Sequence, residues 1–376
     1  MADTSHTALK YKIGVFAQGL PTVSIQMNID IFCHVVDNFG DAGFSLRLGR
    51  DLNLKGHAVR LFCSDTGTAR KISNPDDALE ILPFEALDNY SAASTDVLLS
   101  AFSYRFSDAI AHELSTNHVL CINLEYFSAE KWVEDCHGLP SPHQGLDCHF
   151  FFQGISSRTG GFIIEDSFRR KAARADKAPA GDRRITVFSY PNPDISQLFH
   201  ALGRSFRKSV VSVFEGLALD NLNAQLHTHI TSGKPAQFGN ATVKAAHMVS
   251  QDKYDDMLLE SSFNLVRGED SIVRAMLSGR PFLWQIYPQD ENVHLTKLNS
   301  LFDRFEELFP GSIGFIKRLR PVFLAYNGSG DALGEISDFD GFEQEFAEFA
   351  KQLQAYLLSQ KSYTDNLLEF CAERIR

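Results

Sequence analysis

The sequence lacks the features that mark several common protein classes. None of its apolar runs approaches the roughly 20 residues that a membrane-spanning helix needs, and its N-terminus has no basic segment followed by an apolar signal core. No Walker loop, G-x-G-x-x-G fingerprint or G-x-S-x-G elbow appears in the proper context. We therefore expect neither a membrane nor a secreted protein, and the NTPase, dehydrogenase and hydrolase classes are disfavoured.

Cysteine and histidine show no metal-binding or redox pattern. The six cysteines contain no C-x-x-C pair, and several lie in apolar runs, such as Cys33 in IFCHV and Cys121 in VLCINL. We interpret them as reduced core thiols of a cytoplasmic protein. The histidines have no paired metal spacing, and His227 and His229 alternate on a predicted strand, QLHTHI, as surface or satisfied core groups. No metal site is predicted.

Length and charge limit the architecture and the partners. At about 150 residues per domain, a chain of 376 residues predicts two domains. The net charge of −11 argues against a nucleic-acid partner, which needs a basic face, and suits a basic or guanidinium-bearing partner. Since Phe (31) far outnumbers Tyr (10) and Trp (2), we expect cores packed largely by Phe.

From Met27 onward, short apolar runs alternate with helical patterns, which is typical of parallel sheets covered by helices. One series runs from NIDIFCHVV to CHFFFQG and a second from ITVFSYPN to RPFLWQIYP. Between them, RRKAARADKAPAGDRR is basic and lacks an apolar stripe, so it predicts a linker. The pattern indicates an α/β protein of two Rossmann-like domains that face each other, with ligands in the cleft at the C-terminal ends of the strands.

The predicted organisation has five parts. They are an N-terminal extension of uncertain order, the first Rossmann-like domain, the linker, the second Rossmann-like domain, and C-terminal helices that could pack back on the first domain: residues 1–26, 27–168, 169–184, 185–340 and 341–376.

The stretch VVDNFGDAG, residues 35–43 and here called the acid loop, joins a buried strand to a helix. Glycine-containing loops at this position usually receive a phosphate, which Asp37 and Asp41 would repel. Either the loop is an ordinary turn, or its acids face a positive group.

A second signal is RGEDS, residues 267–271, here called the diphosphate seat. A strand, FNLV, leads into it and a helix follows. The unpaired N–H groups of the helix start suit a diphosphate, and Arg267 can grip phosphate oxygens. Helix capping by Asp270 or Ser271, with Glu269 beside the helix dipole, is an equal alternative for such a motif alone.

Aromatic and amide side chains in the second half could bind a planar base. Phe188 and Tyr190 of VFSYPN point to one side, and Gln251 and Tyr254 lie one helical turn apart. Taken alone, the first pair is better explained as core and the second as an exposed helix start.

Five segments together resemble the bacterial protein-arginine rhamnosyltransferases that modify elongation factor P. The resemblance runs in order from about Met27 to the C-terminus and rests on DIFCHVVDNFGDAGFSLRLGRDL, INLEYFSAEKWVEDCHGLPSPH, FFFQGISSRTGGFI, VFSYPN and VRGEDSIVRAMLSGRPFLWQIYPQDENVHLTKL. The resemblance implies a GT-B glycosyltransferase with an inverting, metal-independent mechanism. It implies dTDP-β-L-rhamnose as donor, no cofactor, and an arginine of elongation factor P as acceptor, with relief of ribosomes stalled at polyproline.

The resemblance also implies roles for individual residues. Asp41 would be the general base, with Asp37 and Glu269 as further catalytic carboxylates, and the first domain would face the acceptor. The donor-binding residues would be Asn38, Phe39, Gly40, Phe188, Tyr190, Gln251, Tyr254, Arg267, Gly268, Asp270 and Ser271. No nucleic-acid or membrane partner is expected.

Two alternatives remain open from the sequence. One is a non-catalytic nucleotide-sugar-binding or protein-binding module of the same fold, and the other is a GT-B enzyme with a different sugar or acceptor. The acid pair argues against a pure binder, since acids near a diphosphate bring no benefit to binding alone.

Overall fold

The computed structural model describes residues 26–141, 143–175, 181–192, 195–331, 336 and 338–375. The predicted N-terminal extension lies outside this part of the chain except for Gln26.

The first half forms one sheet whose strands are buried by helices. The strands are β1 (Asn28–Cys33), β2 (Ala58–Cys63), β3 (Glu80–Pro83), β4 (Val97–Ala101), β5 (Leu120–Glu125), β6 (Pro140–Ser141) and β7 (Cys148–Phe152). Their order is β3-β2-β1-β4-β5-β7-β6, and every pairing is parallel except that of β6 with β7. All five residues of β4 are buried, as expected for a central strand covered on both faces.

The helices that accompany this sheet are α1 (Asn38–Leu54), α2 (Thr66–Ile72), α3 (Asp108–Thr116) and α4 (Lys131–Cys136). The next helix, α5 (Asp166–Arg174), buries Phe168 and Ala172 in the core of the second half. A short 3-10 helix spans Phe84–Asn89. Gly56, with φ of +95°, follows α1 and ends the helix in a left-handed conformation.

The second half forms a separate sheet. Its strands are β8 (Arg183–Val187), β9 (Ser209–Phe214), β10 (Ala236–Phe238), β11 (Ala241–Ala246), β12 (Phe263–Arg267) and β13 (Phe282–Gln285). They lie in the order β10-β11-β9-β8-β12-β13, with β10 antiparallel to β11 and the other pairings parallel. Its helices are α6 (Ile195–Arg204), α7 (Leu217–Gln225), α8 (Gln251–Glu260), α9 (Gly268–Ser278), α10 (Val293–Leu308) and α11 (Ile313–Tyr326), with 3-10 turns at Asp290–Asn292 and Pro310–Ser312.

Two C-terminal helices complete the fold: α12 (Phe339–Ser359) and α13 (Tyr363–Ala372). α12 packs on the second sheet through Phe rings, for example Phe346 against Phe282 at 5.4 Å between centroids. α13 returns to the first sheet, where Tyr363 and Leu367 belong to the core cluster of the first half. Such Phe pairs confirm the expectation of a Phe-packed core.

Two local expectations, on a strand and on the cysteines, differ from the structure. QLHTHI begins with the last residue of α7 and continues as a turn, with His227 at φ of +49°. It forms no strand because the side chain of Asn223 takes the backbone N–H and carbonyl of Ile230. Cys121 and Cys148, opposite each other on β5 and β7, form a disulfide, so the prediction of six reduced thiols is wrong for this pair. Free cysteines are Cys33, Cys63, Cys136 and Cys371.

The predicted linker, residues 169–184, begins inside α5 and ends in β8. Phe168 and Ala172 form the buried side of α5, which is too short a stripe to be recognised in so basic a sequence. Residues 176–180 lie outside the described part.

Candidate active site

The carboxyl ends of β1 and β12 meet across one cleft between the two sheets. The acid loop follows β1 and carries Asp37, while Arg267 ends β12 and Gly268 begins α9. The hydroxyl of Tyr190, from the loop after β8, donates a hydrogen bond of 2.7 Å to Asp37 Oδ2. The acid loop of the first half and the diphosphate seat of the second half therefore lie side by side.

Two glycines allow this close approach. A Cβ on Gly268, where φ is +66°, would lie 2.9 Å from Asp37 Oδ2, and a Cβ on Gly40 would lie 2.6 Å from the same oxygen. Neither distance leaves room for a side chain, so glycine at both positions allows the backbone to contact the Asp37 carboxylate.

Asp41 is fully buried and organises the acid loop. Its Oδ2 accepts hydrogen bonds from the backbone N–H groups of Val36 (2.8 Å) and Asp37 (2.9 Å). Its Oδ1 accepts one of 3.0 Å from the hydroxyl of Tyr126, which follows β5. Burial, reinforced by Asp41, raises the pKa of Tyr126 and keeps it a donor. Since each carboxylate oxygen has two acceptor positions, Oδ1 can accept one more N–H.

Asp37 lies in a mixed electrostatic environment. Burial raises its pKa, while the Tyr190 hydrogen bond and the Arg267 charge act in the opposite direction and Asp41 adds to the rise. Burial and the Asp37 carboxylate raise the pKa of Tyr190, so that its hydroxyl remains the donor. Tyr190 and Arg267 therefore offset part of the effect of burial, and removing either neighbour would raise the pKa of Asp37 further.

The guanidinium of Arg267 is held between two aromatic rings at the mouth of the diphosphate seat. Its Cζ lies 4.6 Å from the centroid of Phe188 and 4.4 Å from that of Tyr190. Cation–π contacts of this kind contribute about 0.5–2 kcal/mol each and fix the plane of the guanidinium. The guanidinium of Arg267 is thus held in a fixed position at the start of α9 before any ligand binds.

The alternative of simple helix capping at α9 does not hold. The residue at the N-cap position is Arg267, with no side-chain cap hydrogen bond among the described residues. The Asp270 carboxylate instead accepts hydrogen bonds from Arg47 of α1, from Nε at 2.9 Å and Nη2 at 3.2 Å. The backbone at the helix start is therefore not covered by Asp270 or another side-chain cap.

An aromatic pocket adjoins the seat. Phe188 packs edge-on against Phe39 of the acid loop (6.2 Å), Phe214 (5.4 Å) and Tyr254 (5.9 Å). The cavity among these rings is about 40 Å³, and Asp270 and Ser271 contribute to its lining. Planar rings beside an anion seat suit stacking on a nucleobase.

Gln251 and Tyr254 do not form the exposed helix start considered above. Gln251 is buried, and its Nε2 donates a hydrogen bond of 2.7 Å to the carbonyl of Gly43 on α1. Burial raises the pKa of Tyr254. Both side chains lie where the two halves meet.

Glu269 points into the acid side of the cleft. Its Oε1 lies 3.6 Å from Nζ of Lys297 on α10, whose ammonium is 5.7 Å from the centroid of the Tyr126 ring. Burial raises the pKa of Glu269, Lys297 lowers it, and Asp37 raises it further. Its Oε2 has no hydrogen-bond partner within the described residues. This buried oxygen is available to a donor that enters the cleft.

The structure brings most of the predicted site residues together. Asn38 begins α1, but its side chain is not described. Sequence reasoning did not single out Arg47, Glu125, Tyr126 or Lys297. The position of Glu125 and Tyr126 at the end of β5 was a usable signal, since parallel strands end at the same edge. Arg47 and Lys297 lie within helices and offered none.

The described residues contain neither a cluster of metal-binding side chains nor a membrane-spanning helix. No group of three or more His, Cys, Asp or Glu side chains is arranged to hold a metal ion. No helix there has the length and apolar character needed to cross a bilayer.

The chain is similar to known proteins over nearly all of the described length. A family model described as "Elongation-Factor P (EF-P) rhamnosyltransferase EarP" matches residues 29–372. A protein-arginine rhamnosyltransferase of Pseudomonas aeruginosa is 31% identical, covering 92% of this chain and 98% of its own length. One from Pseudomonas putida is 36% identical over 73% of this chain and 81% of its own.

A solved structure shares the fold. It was described under "Structural basis for EarP-mediated arginine glycosylation of translation elongation factor EF-P", with a TM-score of 0.64 and 23% identity. The alignment covers 93% of this chain and 100% of the other. Together with the two facing sheets, this confirms the predicted GT-B arrangement.

Proposed function

The chain belongs to the EarP family of EF-P rhamnosyltransferases, and we propose that it transfers L-rhamnose from dTDP-β-L-rhamnose to an arginine of elongation factor P. The transfer inverts the anomeric carbon and uses no metal ion. We place the protein in the cytoplasm, where the modified factor would serve ribosomes stalled at runs of proline.

The observation that carries this proposal is the contact between the acid loop and the diphosphate seat. Asp37 accepts the Tyr190 hydrogen bond at 2.7 Å, and Gly268 of α9 approaches the same carboxylate. An acceptor base and a leaving-group site must lie within one sugar ring of each other for a direct displacement. Asp41, which accepts the backbone N–H of Asp37, belongs to the same loop that touches the seat.

The charge of the cleft supports a cationic acceptor. The half-buried carboxylate of Asp37 and the carboxylate of Glu269 lie there, with Asp41 fully buried beside them. Burial raises the pKa of Glu125, and nearby Lys297 lowers it. An arginine guanidinium stays protonated at neutral pH, with a pKa above about 12. Carboxylates in a partly dry cleft compensate that charge and hold the planar fork by hydrogen bonds.

We assign Asp41 as the base through its Oδ1. An ordinary carboxylate cannot deprotonate a free guanidinium, but it can take the proton as the new bond forms. The guanidinium nitrogen attacks C1 from the face opposite the diphosphate, the C1–O bond breaks with its electron pair going to the diphosphate oxygen, and the nitrogen releases its proton to Asp41. Two backbone N–H groups hold Oδ2, and Oδ1, which accepts from Tyr126, keeps one acceptor position for the incoming guanidinium.

The departing diphosphate gains charge as the C1–O bond breaks. Arg267 and the N–H groups at the start of α9 offer positive charge at that place without a metal. The aromatic pocket of Phe188 and Tyr254 would take the thymine, which places the diphosphate beside Ser271.

Product mass tests the proposal. Incubating the protein with dTDP-rhamnose and folded elongation factor P should add one deoxyhexose to one arginine of the acceptor. Absence of that addition while dTDP binds would favour a non-catalytic module. A panel of other nucleotide sugars tests the specificity for the donor. Preferred transfer from another nucleotide sugar would support a GT-B enzyme with a different donor substrate.

Arg267→Ala is expected to weaken dTDP binding by about 10-fold or more, because a charge-assisted hydrogen bond contributes about 1.5–3 kcal/mol. Isothermal titration with dTDP measures this. Arg184→Ala is the matched control, since Arg184 lies on the same sheet with an exposed ion pair to Glu260. Unchanged affinity in Arg267→Ala would remove Arg267 from the donor site.

Tyr190→Phe is expected to move the acidic limb of the pH profile of kcat/KM to higher pH. Asp37 acts when ionised, so activity falls as the pH drops through its pKa, which burial already raises. The lost hydrogen bond favoured the ionised form, and its removal raises that pKa further. Tyr287→Phe, which alters the neighbouring ring and leaves the Asp37 hydrogen bond, is the control. A limb that stays in place, or moves to lower pH, would contradict the role of Asp37.

A further inference from the structure

A cluster of buried ionic groups joins the two halves beneath the cleft. Arg47 of α1 is 1% exposed, and its guanidinium contacts carboxylates on three separate segments. These are Asp270 at the start of α9, Asp255 on α8, and Glu165 just before α5. The proposed mechanism uses none of these contacts.

Every N–H of Arg47 has an acceptor. Nε and Nη2 grip the two oxygens of Asp270 at 2.9 and 3.2 Å, Nη1 donates to Glu165 at 2.8 Å and to Asp255 at 3.1 Å, and Nη2 also approaches Asp255 at 3.4 Å. Only an arginine fork can serve three carboxylates in this way, since lysine has three donors on one atom.

Arg274 of α9 provides an internal comparison. It is fully buried and shares two partners with Arg47, donating to Asp255 at 2.9 and 2.7 Å and to Glu165 at 2.9 Å. Its described contacts do not include Asp270. The two arginines therefore have similar burial and shared acids, and they differ in the link to the diphosphate seat.

The charges of this cluster support one another. Burial alone would raise the pKa of Glu165, but Arg274, Arg47 and Arg50 hold it well below its ordinary value. Burial alone would lower the pKa of Arg47, and Asp255, Asp270 and Glu165 raise it instead. A buried ion cluster of this kind could simply hold the domains together, and such clusters are weak evidence for stability.

The geometry points to a more specific role, which rests on the proposed donor site: we propose that Arg47 is a positioning residue that fixes Asp270, and with it the start of α9, against α1. The same helix carries Asp41 at its first turn, and Gln251 ties it to α8 at Gly43. Arg47 also neutralises a carboxylate that would otherwise stand uncompensated beside the diphosphate. Asp270 accordingly supports the donor site through its ion pair with Arg47.

Comparison of Arg47→Lys with Arg274→Lys tests this inference. Both variants lose parts of the fork contacts to Asp255 and Glu165, so their melting temperatures should fall by similar amounts. Only Arg47→Lys should lower the affinity for dTDP, by about 10-fold, the scale of one charge-assisted bidentate contact. Isothermal titration and thermal unfolding in parallel measure the two quantities.

The outcomes separate the hypotheses. Equal changes of dTDP affinity in the two variants, or none in Arg47→Lys, would show that the cluster only joins the domains. If Arg47→Lys does not fold, Asp270→Asn takes its place, because it removes the ionic partner of Arg47 at the cleft end of the cluster. An affinity of Asp270→Asn for dTDP equal to that of the parent would then overturn the inference. Failure of the parent protein to bind dTDP would instead contradict the proposed function and remove the donor site on which the inference rests.

Discussion

Replacing Asp41 with asparagine is expected to lower the rate of transfer by about 10²–10⁴-fold, the range of general-base catalysis, while dTDP affinity changes little. The amide oxygen of asparagine can still accept the backbone N–H groups of Val36 and Asp37, and its NH₂ can donate to the oxygen of Tyr126. The acid loop therefore keeps its shape and loses only its proton acceptor. Single-turnover rates and dTDP titration measure the two effects.

Asp51→Asn is the matched control for this substitution. Asp51 is also a buried aspartate of α1, but it lies farther along the helix, towards Thr364 and Lys55. Its variant should transfer rhamnose at a rate close to that of the parent. If Asp41→Asn retained full activity, or lost activity and dTDP affinity in parallel, Asp41 would not be the base.

Gly268→Ala is expected to lower kcat/KM by about 10²-fold, the effect of misplacing reacting groups by roughly 1 Å. A methyl group at a φ of +66° is strained by about 1–2 kcal/mol and would lie 2.9 Å from Asp37 Oδ2. Both effects push α9 away from the acid loop. Steady-state kinetics with varied donor and acceptor would show whether the loss falls on both substrates.

Gly56→Ala separates backbone strain from the close approach. Gly56 also has a positive φ, of +95°, yet a Cβ there meets no atom within 4 Å. Its variant should lose stability and keep its activity. A Gly268→Ala enzyme with parental kcat/KM would show that the contact with Asp37 does not matter for transfer.

The parts of the site that the sequence predicts are those fixed by strand topology. Asp37 and the diphosphate seat both follow buried strands, and parallel strands bring such loops to one edge. A cleft between two such sheets then places them opposite each other. The fold class and most strands could be predicted for the same reason, because the apolar runs are short and bounded by turn residues.

The remaining contacts could not be predicted because they join distant parts of the chain. Asp270 looked like a helix cap, and its real partner, Arg47, is 223 residues away. An arginine inside α1 reads as a surface residue, and it is buried by Glu165 together with Asp255 and Asp270 of the second half. The disulfide between Cys121 and Cys148 depends in the same way on strand register, which their separation of 27 residues does not reveal.

Helix α1 has a consequence for altering this enzyme. Asp41 and Arg47 lie on it roughly 9 Å apart along its axis, and an α-helix is rigid over that distance. The proposed proton acceptor and the proposed support of the donor pocket therefore lie on one rigid helix. Redesign toward another donor would have to include α1 along with the second domain, since a shift that fits a new nucleotide also moves the base.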